Sequence, residues 1–506
     1  MSFINASWTD LPPEIRHRIL DLLLYDGCSL AGFATVSREW QAVIEPYNFA
    51  RINLTPSRLS HSGPILYRKS NHIRYIWFRL ELQRYDCTVC APEELALWGL
   101  NNIDNTFIAN AFESLFSTLS QWKPNGDLVL DVSVYSLSDC EHWFKYLDFG
   151  PDIPPSECSF PLRHGEPSAW TPIDDPSHGW VAGRQETAPN HFAINKVFDE
   201  IMGEGPFEER EPEMQWWRGL PSVPAITGIL LRQQTRRRWK PTALANMLTR
   251  FPNLKEICYE PWREWDGIQK CTDIHNKTLI ESLAGGGNLR KLVVFENFNQ
   301  HYPFKHFECD PIRVPNGVVS LKLARASLQL EMLSASFMID ASQFFKQARK
   351  QFLRWPNLTS LALTSRLLAP DASTTDIDGM LLDAAAAAEN MPKLETMEIW
   401  NGRKGLAMLF RYQTARDGQS AIITLRGTSK LALRPAVVRV WDAVAFQHNH
   451  GRVVIMSSSI DAGIIRSHGD ALCHLGLSTQ VIRPVSLRQI LKEHQTRAGG
   501  VFDGQM

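Results

Sequence analysis

No stretch of this 506-residue chain approaches the roughly 18 consecutive apolar residues that a membrane-spanning helix needs. Neither sign of charge dominates, since 53 Lys and Arg stand against 54 Asp and Glu. A global attraction to nucleic acid or to an anionic membrane is therefore not expected, and any electrostatic partner must be met locally. Cysteine is sparse: nine residues, an odd number at irregular spacing, do not read as a disulfide framework. Met1 to Asp10 lacks the basic and apolar regions of a secretory signal. Reduced thiols and a cytoplasmic or nuclear address are the expectation, with no membrane partner, and the sequon Asn53-Leu54-Thr55 is not expected to carry a glycan. What is present, 44% apolar and 21% charged residues, is a globular composition with material for more than one domain.

Catalytic signatures are missing as well. The sequence holds no His-Glu-x-x-His, no serine in a glycine-flanked elbow and no kinase signature set, and Ser457-Ser458-Ser459 has no identifiable base. Gly285-Gly286-Gly287 follows the helical pattern Leu279 to Leu283 and precedes strand-like sequence at Leu289, the reverse of a phosphate loop. His448 and His450 lack a Cys or carboxylate companion at metal-ligand spacing. Cys87-Thr88-Val89-Cys90 has the spacing of a zinc knuckle or a redox pair. A structural zinc needs four ligands, however, and with no second pair in the sequence, and Cys140 and Cys158 far along the chain, buried or incidental thiols are the expected reading. No catalytic, cofactor-binding or metal-binding residue is assigned, and the expectation is a protein that is not an enzyme.

The amino terminus has its own punctuation. Asp10 or Thr9 is placed to cap a helix, Pro13 suits its first turn, and Ile15, Ile19, Leu22 and Leu23 recur on one apolar stripe that should stop near Asp26-Gly27. A second short helix carries Leu30, Phe33 and Ala34, and a third, Arg38 to Ile44, should end at Pro46. Three helices this short bury too little surface to stand alone, so some of their apolar residues should face another domain or another protein.

Over residues 8–48, Leu11-Pro12, Glu14-Ile15, Ile19-Leu20, Leu23, Val36-Ser37-Arg38, Glu39, Trp40 and Ile44 resemble the F-box in order and spacing. The longer run Pro46 to Leu54 resembles F-box proteins of filamentous fungi whose substrates are unassigned. The resemblance implies docking to the Skp-family adaptor of an SCF-type ubiquitin ligase, and through it to a cullin. It makes Leu11, Pro12, Ile15, Ile19 and Leu20 the adaptor-binding candidates. The alternative use of the same stripe is as a cap on the following domain.

Beyond it, Ile73 to Phe78 and Leu128 to Val132 read as strands on either side of the helical pattern Phe107 to Leu119. From residue 223 a frame recurs: apolar, two free positions, apolar, one free, apolar. Its copies are Ile226/Ile229/Leu231, Leu254/Ile257/Tyr259, Leu289/Leu292/Val294, Val318/Leu321/Leu323, Leu358/Leu361/Leu363 and Leu394/Met397/Ile399. Pro224, Pro252, Pro356 and Pro392 each stand two residues before a copy, and helical stripes lie between copies.

The expected fold class is therefore α/β: a short all-α module followed by stacked strand-helix units similar to irregular leucine-rich repeats. The consensus asparagine is irregular and the units are long for that class. The expected layout is a helical module (1–55), a first α/β segment (56–149), a Pro-rich insertion or loop, partly disordered (150–222), repeats (223–415) and a carboxy-terminal α/β cap (416–506). A possible helix at Ala436 to Phe446, strands at Val453 to Met456 and Gln480 to Ile482, and a helix at Leu487 to His494 make up the cap.

The middle free position of each frame gives a candidate target-binding row, Leu230, Cys258, Val293, Lys322, Ala362 and Glu398, unless the cap covers it. Arg232, Arg236, Arg237, Arg238 and Lys240 form the densest cationic run. As a basic patch it would suit nuclear import, RNA or an acidic partner, but a solvated loop is the favoured reading and nucleic acid is not an expected partner. The functional expectation is a non-catalytic substrate receptor for an unknown protein target with no cofactor, and the alternative is a non-ligase interaction scaffold, for which a nuclear address is one option.

Overall fold

A computed structural model of the chain describes residues 8–25, 30–153, 174–207, 209–263, 269–284, 287–300, 302, 312–414, 420–449 and 451–496. The chain begins with two helices, α1 (Pro13–Tyr25) and α2 (Arg38–Ala50), and then alternates through β1 (Arg51–Leu54), α3 (Pro56–Lys69), β2 (Tyr75–Glu81), α4 (Asn102–Leu119) and β3 (Val129–Tyr135). Two helices, α5 (His191–Val197) and α6 (Arg210–Gly219), precede β4 (Gly228–Leu231). Alternation resumes with α7 (Pro241–Leu248), β5 (Glu256–Tyr259), α8 (Gln269–Ala284), β6 (Lys291–Phe295), α9 (Gly317–Ala326), β7 (Met332–Ser336), α10 (Ala341–Lys350), β8 (Ser360–Thr364), α11 (Thr374–Ala388) and β9 (Thr396–Arg403). The chain closes with β10 (Leu406–Gln413), β11 (Ala421–Gly427), α12 (Pro435–Asn449), β12 (Val453–Ser459), α13 (His468–Leu475) and α14 (Pro484–Gln495).

The twelve strands form one mostly parallel sheet in which each lies beside its neighbour in chain order. Strands β1 to β9 are parallel, β10 is antiparallel to both β9 and β11, and β12 is parallel to β11. The architecture is thus mixed α/β. Among the described residues no helix is long and apolar enough to cross a membrane.

Side-chain alternation divides the sheet cleanly. Ile76, Phe78 and Leu80 of β2, Ile229 and Leu231 of β4, Leu292 and Val294 of β6, and Leu361 and Leu363 of β8 share one continuous apolar core with helices α4 and α7 to α11. Local signals start several of the helices: an Asn101–Asp104 capping box opens α4, and Ser37 and Thr55 cap α2 and α3. The opposite face carries Tyr75, Trp77, Tyr135, Leu230, Cys258 and Val293, with Ala362 and Trp400 further along, and it is covered by residues 137–149 and by α13 and α14.

Several expectations change. Five of the six frames fall on strands β4, β5, β6, β8 and β9, but Val318/Leu321/Leu323 lies on α9. Asn316 caps that helix through the Val318 and Val319 amides, and buried Val319 and Leu323 stand one helical turn apart. The strand of this unit is β7, where Leu330/Leu333/Ala335 repeats the same frame. Helix α2 runs through Pro46 instead of ending there. Ala42, whose carbonyl the proline cannot satisfy, is exposed, so the lost bond falls on the wet side. The expected second helix is a single 3-10 turn, Phe33–Thr35. Gln480 to Ile482 is not a strand. Within the Pro-rich segment the described residues form a two-stranded ribbon, Trp180–Val181 with Arg184–Gln185, followed by α5 and α6. Asp26, Gly27, Cys158, Gly285, Gly286 and His450 lie outside the described residues.

Candidate functional site

Three places bring together residues with the chemistry to bind something, and the first is the outer face of α1. At about 100° per residue, Ile15, Ile19 and Leu22 share one face of the helix, whereas Leu20 points to the opposite one. Ile15 is 48%, Ile19 36% and Leu22 59% exposed, while Leu20 is fully buried, as is Ile44 of α2. Leu20 therefore belongs to the interior of the module and leaves the set of accessible candidates. Pro12 is exposed and Leu11 half-buried. Trp8 and Arg16 both donate to Glu39, at 3.0 and 3.2 Å, and Trp8 and Phe33 pack on Trp40, so α1 is fixed on α2 with its outer face turned away.

The second place is the covered face of the sheet. The candidate target-binding row is in register across β4, β5, β6, β8 and β9 as Leu230, Cys258, Val293, Ala362 and Glu398, with Ser334 of β7 standing where Lys322 was expected. All of these side chains are buried. Lys322 sits on α9 in an ion pair with Glu281. Glu398 is held by Arg411 at 2.7 Å and by the backbone amides of Ser478 and Thr479 at 2.8 and 3.0 Å, so the carboxy-terminal segment seals the row at this end. The row is interior in this fold, not a face open to a target.

The basic run is also interior. Arg232, Arg236 and Arg237 are buried, and every cation of the run has its own acid: Arg232 with Asp131 (2.6 Å), Arg236 with Glu493 (2.7 Å), Arg237 with Asp139, Arg238 with Glu200 (3.4 Å) and Lys240 with Glu213 (2.7 Å). The solvated-loop reading is corrected, and so is any use of the run as a free cationic patch. A buried guanidinium needs a carboxylate and full hydrogen bonding, and this loop meets that need by crossing the sheet ends. Burial works against the charged Arg232, and the Asp131 carboxylate beside it more than offsets this and raises its pKa above the usual arginine value. Arg236 also lies over the Trp262 ring, 4.0 Å from its centroid, with its backbone in the left-handed region at φ 63°. Around it Gln233 donates to the Ser486 carbonyl, Asn297 donates to Gln233, and His468 bonds to Asn297. Trp217 packs among Phe112 and Phe116 in the core, with the half-buried Trp216 ring 4.6 Å from it.

The third place lies at the Cys-x-x-Cys pair, which sequence alone reads as buried or incidental thiols. Cys87 and Cys90, in the loop after β2, meet His142, which follows β3, and His178, in the short turn Pro176–His178. One donor atom from each of the four lies within 4.8 Å of all the others. His178 Nε2 is 3.3 Å from Cys87 Sγ and 3.4 Å from Cys90 Sγ. Its Nδ1 lies 2.8 Å from Asp175 Oδ2, and Asp175 is held in turn by Lys145 at 2.7 Å and Ser177 at 2.6 Å. Burial opposes the charge on Asp175, but Lys145, Ser177 and His178 together hold its carboxyl below the usual range. His142 bonds to the Tyr85 backbone, and its Nε2 is buried with no hydrogen-bond partner. Burial, with Cys87 alongside, pushes the Cys90 thiol up to about 11. The residues that meet the Cys-x-x-Cys pair are histidines, one of them 88 residues beyond Cys90, at no spacing that a sequence motif encodes. His448, by contrast, bonds to the Ala388 carbonyl away from any such cluster.

Residues 286–483 match a family of unknown function, DUF6546, a span that takes in β6 to β12 and α13 but neither α1 nor the cysteine-histidine cluster. No curated protein matches the chain.

Proposed function

We propose that the chain is a substrate-recognition adaptor of an SCF-type ubiquitin ligase, in which the F-box-like module of α1 and α2 docks the Skp-family adaptor and the α/β sheet domain holds a protein target. One observation carries the reading: α1 is apolar on two opposite sides. Its inner side, with Leu20, completes the module, and its outer side presents Ile15, Ile19 and Leu22 to solvent beside Leu11-Pro12. Three large apolar side chains on one short helix face are a cost to a free protein and an asset to one that binds through them. A module that served as a cap on the sheet would bury Ile15 and Ile19.

In this role the chain needs no catalytic residue of its own, because the ligase acts by holding target and ubiquitin-transfer machinery close. With the row Leu230 to Glu398 covered, target recognition falls to the exterior of the sheet domain. The internal pairing of the basic run favours a protein target over a nucleic acid.

The test is co-expression of the full chain with a Skp-family adaptor. The two should co-elute, and Leu11→Ala/Pro12→Ala or Ile15→Asp should abolish the complex without changing the circular dichroism spectrum. Retained binding in both variants rules out this interface, and failure of the native chain to co-elute rules out the reading itself. Truncation at Ile52 is a poor control, because it cuts into β1, which pairs with β2 from Arg51 to Leu54.

A further inference from the structure

We propose that Cys87, Cys90, His142 and His178 form a structural zinc site that joins three separate segments at the ends of β2 and β3. The donor set is one of the common closed sets for structural zinc, two thiolates and two imidazoles. In a tetrahedron with zinc-sulfur bonds of about 2.3 Å and zinc-nitrogen bonds of about 2.0 Å, neighbouring donors are separated by roughly 3.3 to 3.8 Å. The contacts from His178 Nε2 to the two sulfurs, at 3.3 and 3.4 Å, and the 4.8 Å limit on all four donors match a site of that size.

Hydrogen bonding alone leaves this cluster unsatisfied. His178 Nε2 has one lone pair for two thiols, and the buried Nε2 of His142 has no donor at all. A single divalent cation occupies all four lone pairs. The outer contacts already set the imidazoles for it. Asp175 takes the Nδ1 proton of His178 and the Tyr85 backbone holds His142, which leaves both Nε2 atoms as acceptors, the carboxylate-histidine-metal arrangement that orients ligands in metal sites. Lys145 and Ser177 fix Asp175 in turn. Binding displaces one proton from each thiol to solvent, so a dication bound by two thiolates and two neutral imidazoles is uncharged overall and suits a half-buried place. With four protein ligands there is no open position for substrate, so the role is structural.

The site would fasten the ribbon around Trp180 to the body of the protein. Trp180 and Gln185 both donate to the Trp143 carbonyl, next to His142, and the Gln185 amide donates to Thr496 after α14. Zinc therefore bears on how α14 closes over the sheet as well as on the loop that carries the cysteines.

The measurement is zinc content of the full chain purified without chelator, followed by exchange with cobalt. The expected result is about one zinc per chain, strong visible absorption of tetrahedral cobalt with thiolate-to-metal charge transfer, and about two protons released per zinc rebound after chelation. Cys87→Ser/Cys90→Ser should lose the metal, whereas Cys140→Ser/Cys271→Ser, whose cysteines lie outside the cluster, should keep it. Chelation should open residues 84–94 and 174–187 to protease. Since native zinc content and the cobalt spectrum need no variant, a misfolded mutant leaves the test intact. Native protein with well under a tenth of an equivalent of zinc and only weak octahedral cobalt absorption overturns the proposal, as does a Cys87–Cys90 disulfide in protein purified under reducing conditions.

Discussion

The two faces of the twelve-stranded sheet are held by different physics. On the helical side the inward strand positions are apolar with few exceptions, such as Asn401, and each unit contributes a strand and a helix to one continuous apolar core. On the covered side the inward positions include Asp131, Ser133, Ser334 and Glu398, and the layer above them is a network of paired charges and amides. The first kind of face is tolerant, because hydrophobic burial is non-directional and a lost methylene costs only its own transfer and cavity. The second is unforgiving, because removing one partner strands the other as a buried charge.

That contrast is broken or upheld most sharply by the Arg232–Asp131 pair. Asp131→Ala leaves a fully buried guanidinium with Tyr75 also deprived of its acceptor, and should cost about 3 to 5 kcal/mol in urea unfolding. The double variant Asp131→Ala/Arg232→Met should recover much of the loss, since no charge then remains unpaired. Leu361→Ala on the helical face should cost about 2 to 5 kcal/mol, with no second substitution able to rescue it by charge neutralisation. If the double variant is no more stable than Asp131→Ala alone, the covered face is held by packing and the distinction between the faces fails.

The same contrast explains what was legible in the sequence. The apolar frame locates strands β4, β5, β6, β8 and β9, all but β6 with a proline before the frame, because hydrophobic periodicity and helix termination are local properties. They even set the register, Leu230 to Cys258 to Val293. The fourth copy went astray because Val318/Leu321/Leu323 and Leu330/Leu333/Ala335 fit the frame equally, and only the Asn316 cap separates helix from strand. Partners on the covered face carry no local signal. Arg232 meets Asp131 from 101 residues away and Arg236 meets Glu493 from 257, so a run of cations destined for burial looks like a solvated loop. The cysteine-histidine cluster was hidden for the same reason: the pair Cys87 and Cys90 is local, and His142 and His178 are not.

A smaller effect follows from a buried histidine within the polar layer. His468 is buried, stacked 4.5 Å from Phe298 and near Phe295, Phe337 and His494, with Asn297 as its hydrogen-bond partner. Burial pushes its pKa down to about 4, with Arg236 acting in the same direction and Glu493 against it. Below its ordinary value near 6.5 the unfolded chain takes up a proton that the folded chain refuses. Stability is therefore unaffected by this group above pH 6.5 and falls by about 1.4 kcal/mol per unit as the pH drops from there toward 4. His468→Gln, which keeps an amide for Asn297, should remove that slope. Wild-type and variant unfolding midpoints that run parallel between pH 6.5 and 4 would show that the polar layer admits the proton.

The smallest effect on stability is expected on the outer face of α1, where large apolar side chains are exposed. Ile15→Asp/Ile19→Asp places two carboxylates on the outer face of α1, where the native side chains are 48% and 36% exposed. The change should move the unfolding midpoint by no more than about 0.5 kcal/mol, the usual range for surface substitutions, and a carboxylate at position 15 even lies near the favourable amino-terminal end of the helix. On the helical face of the sheet the same aspartates would be ruinous. A helix whose exposed isoleucines contribute nothing to folding is one whose apolar character answers to a partner. A loss of several kcal/mol in this double variant would instead place Ile15 and Ile19 in the chain's own core and return the module to the role of a cap.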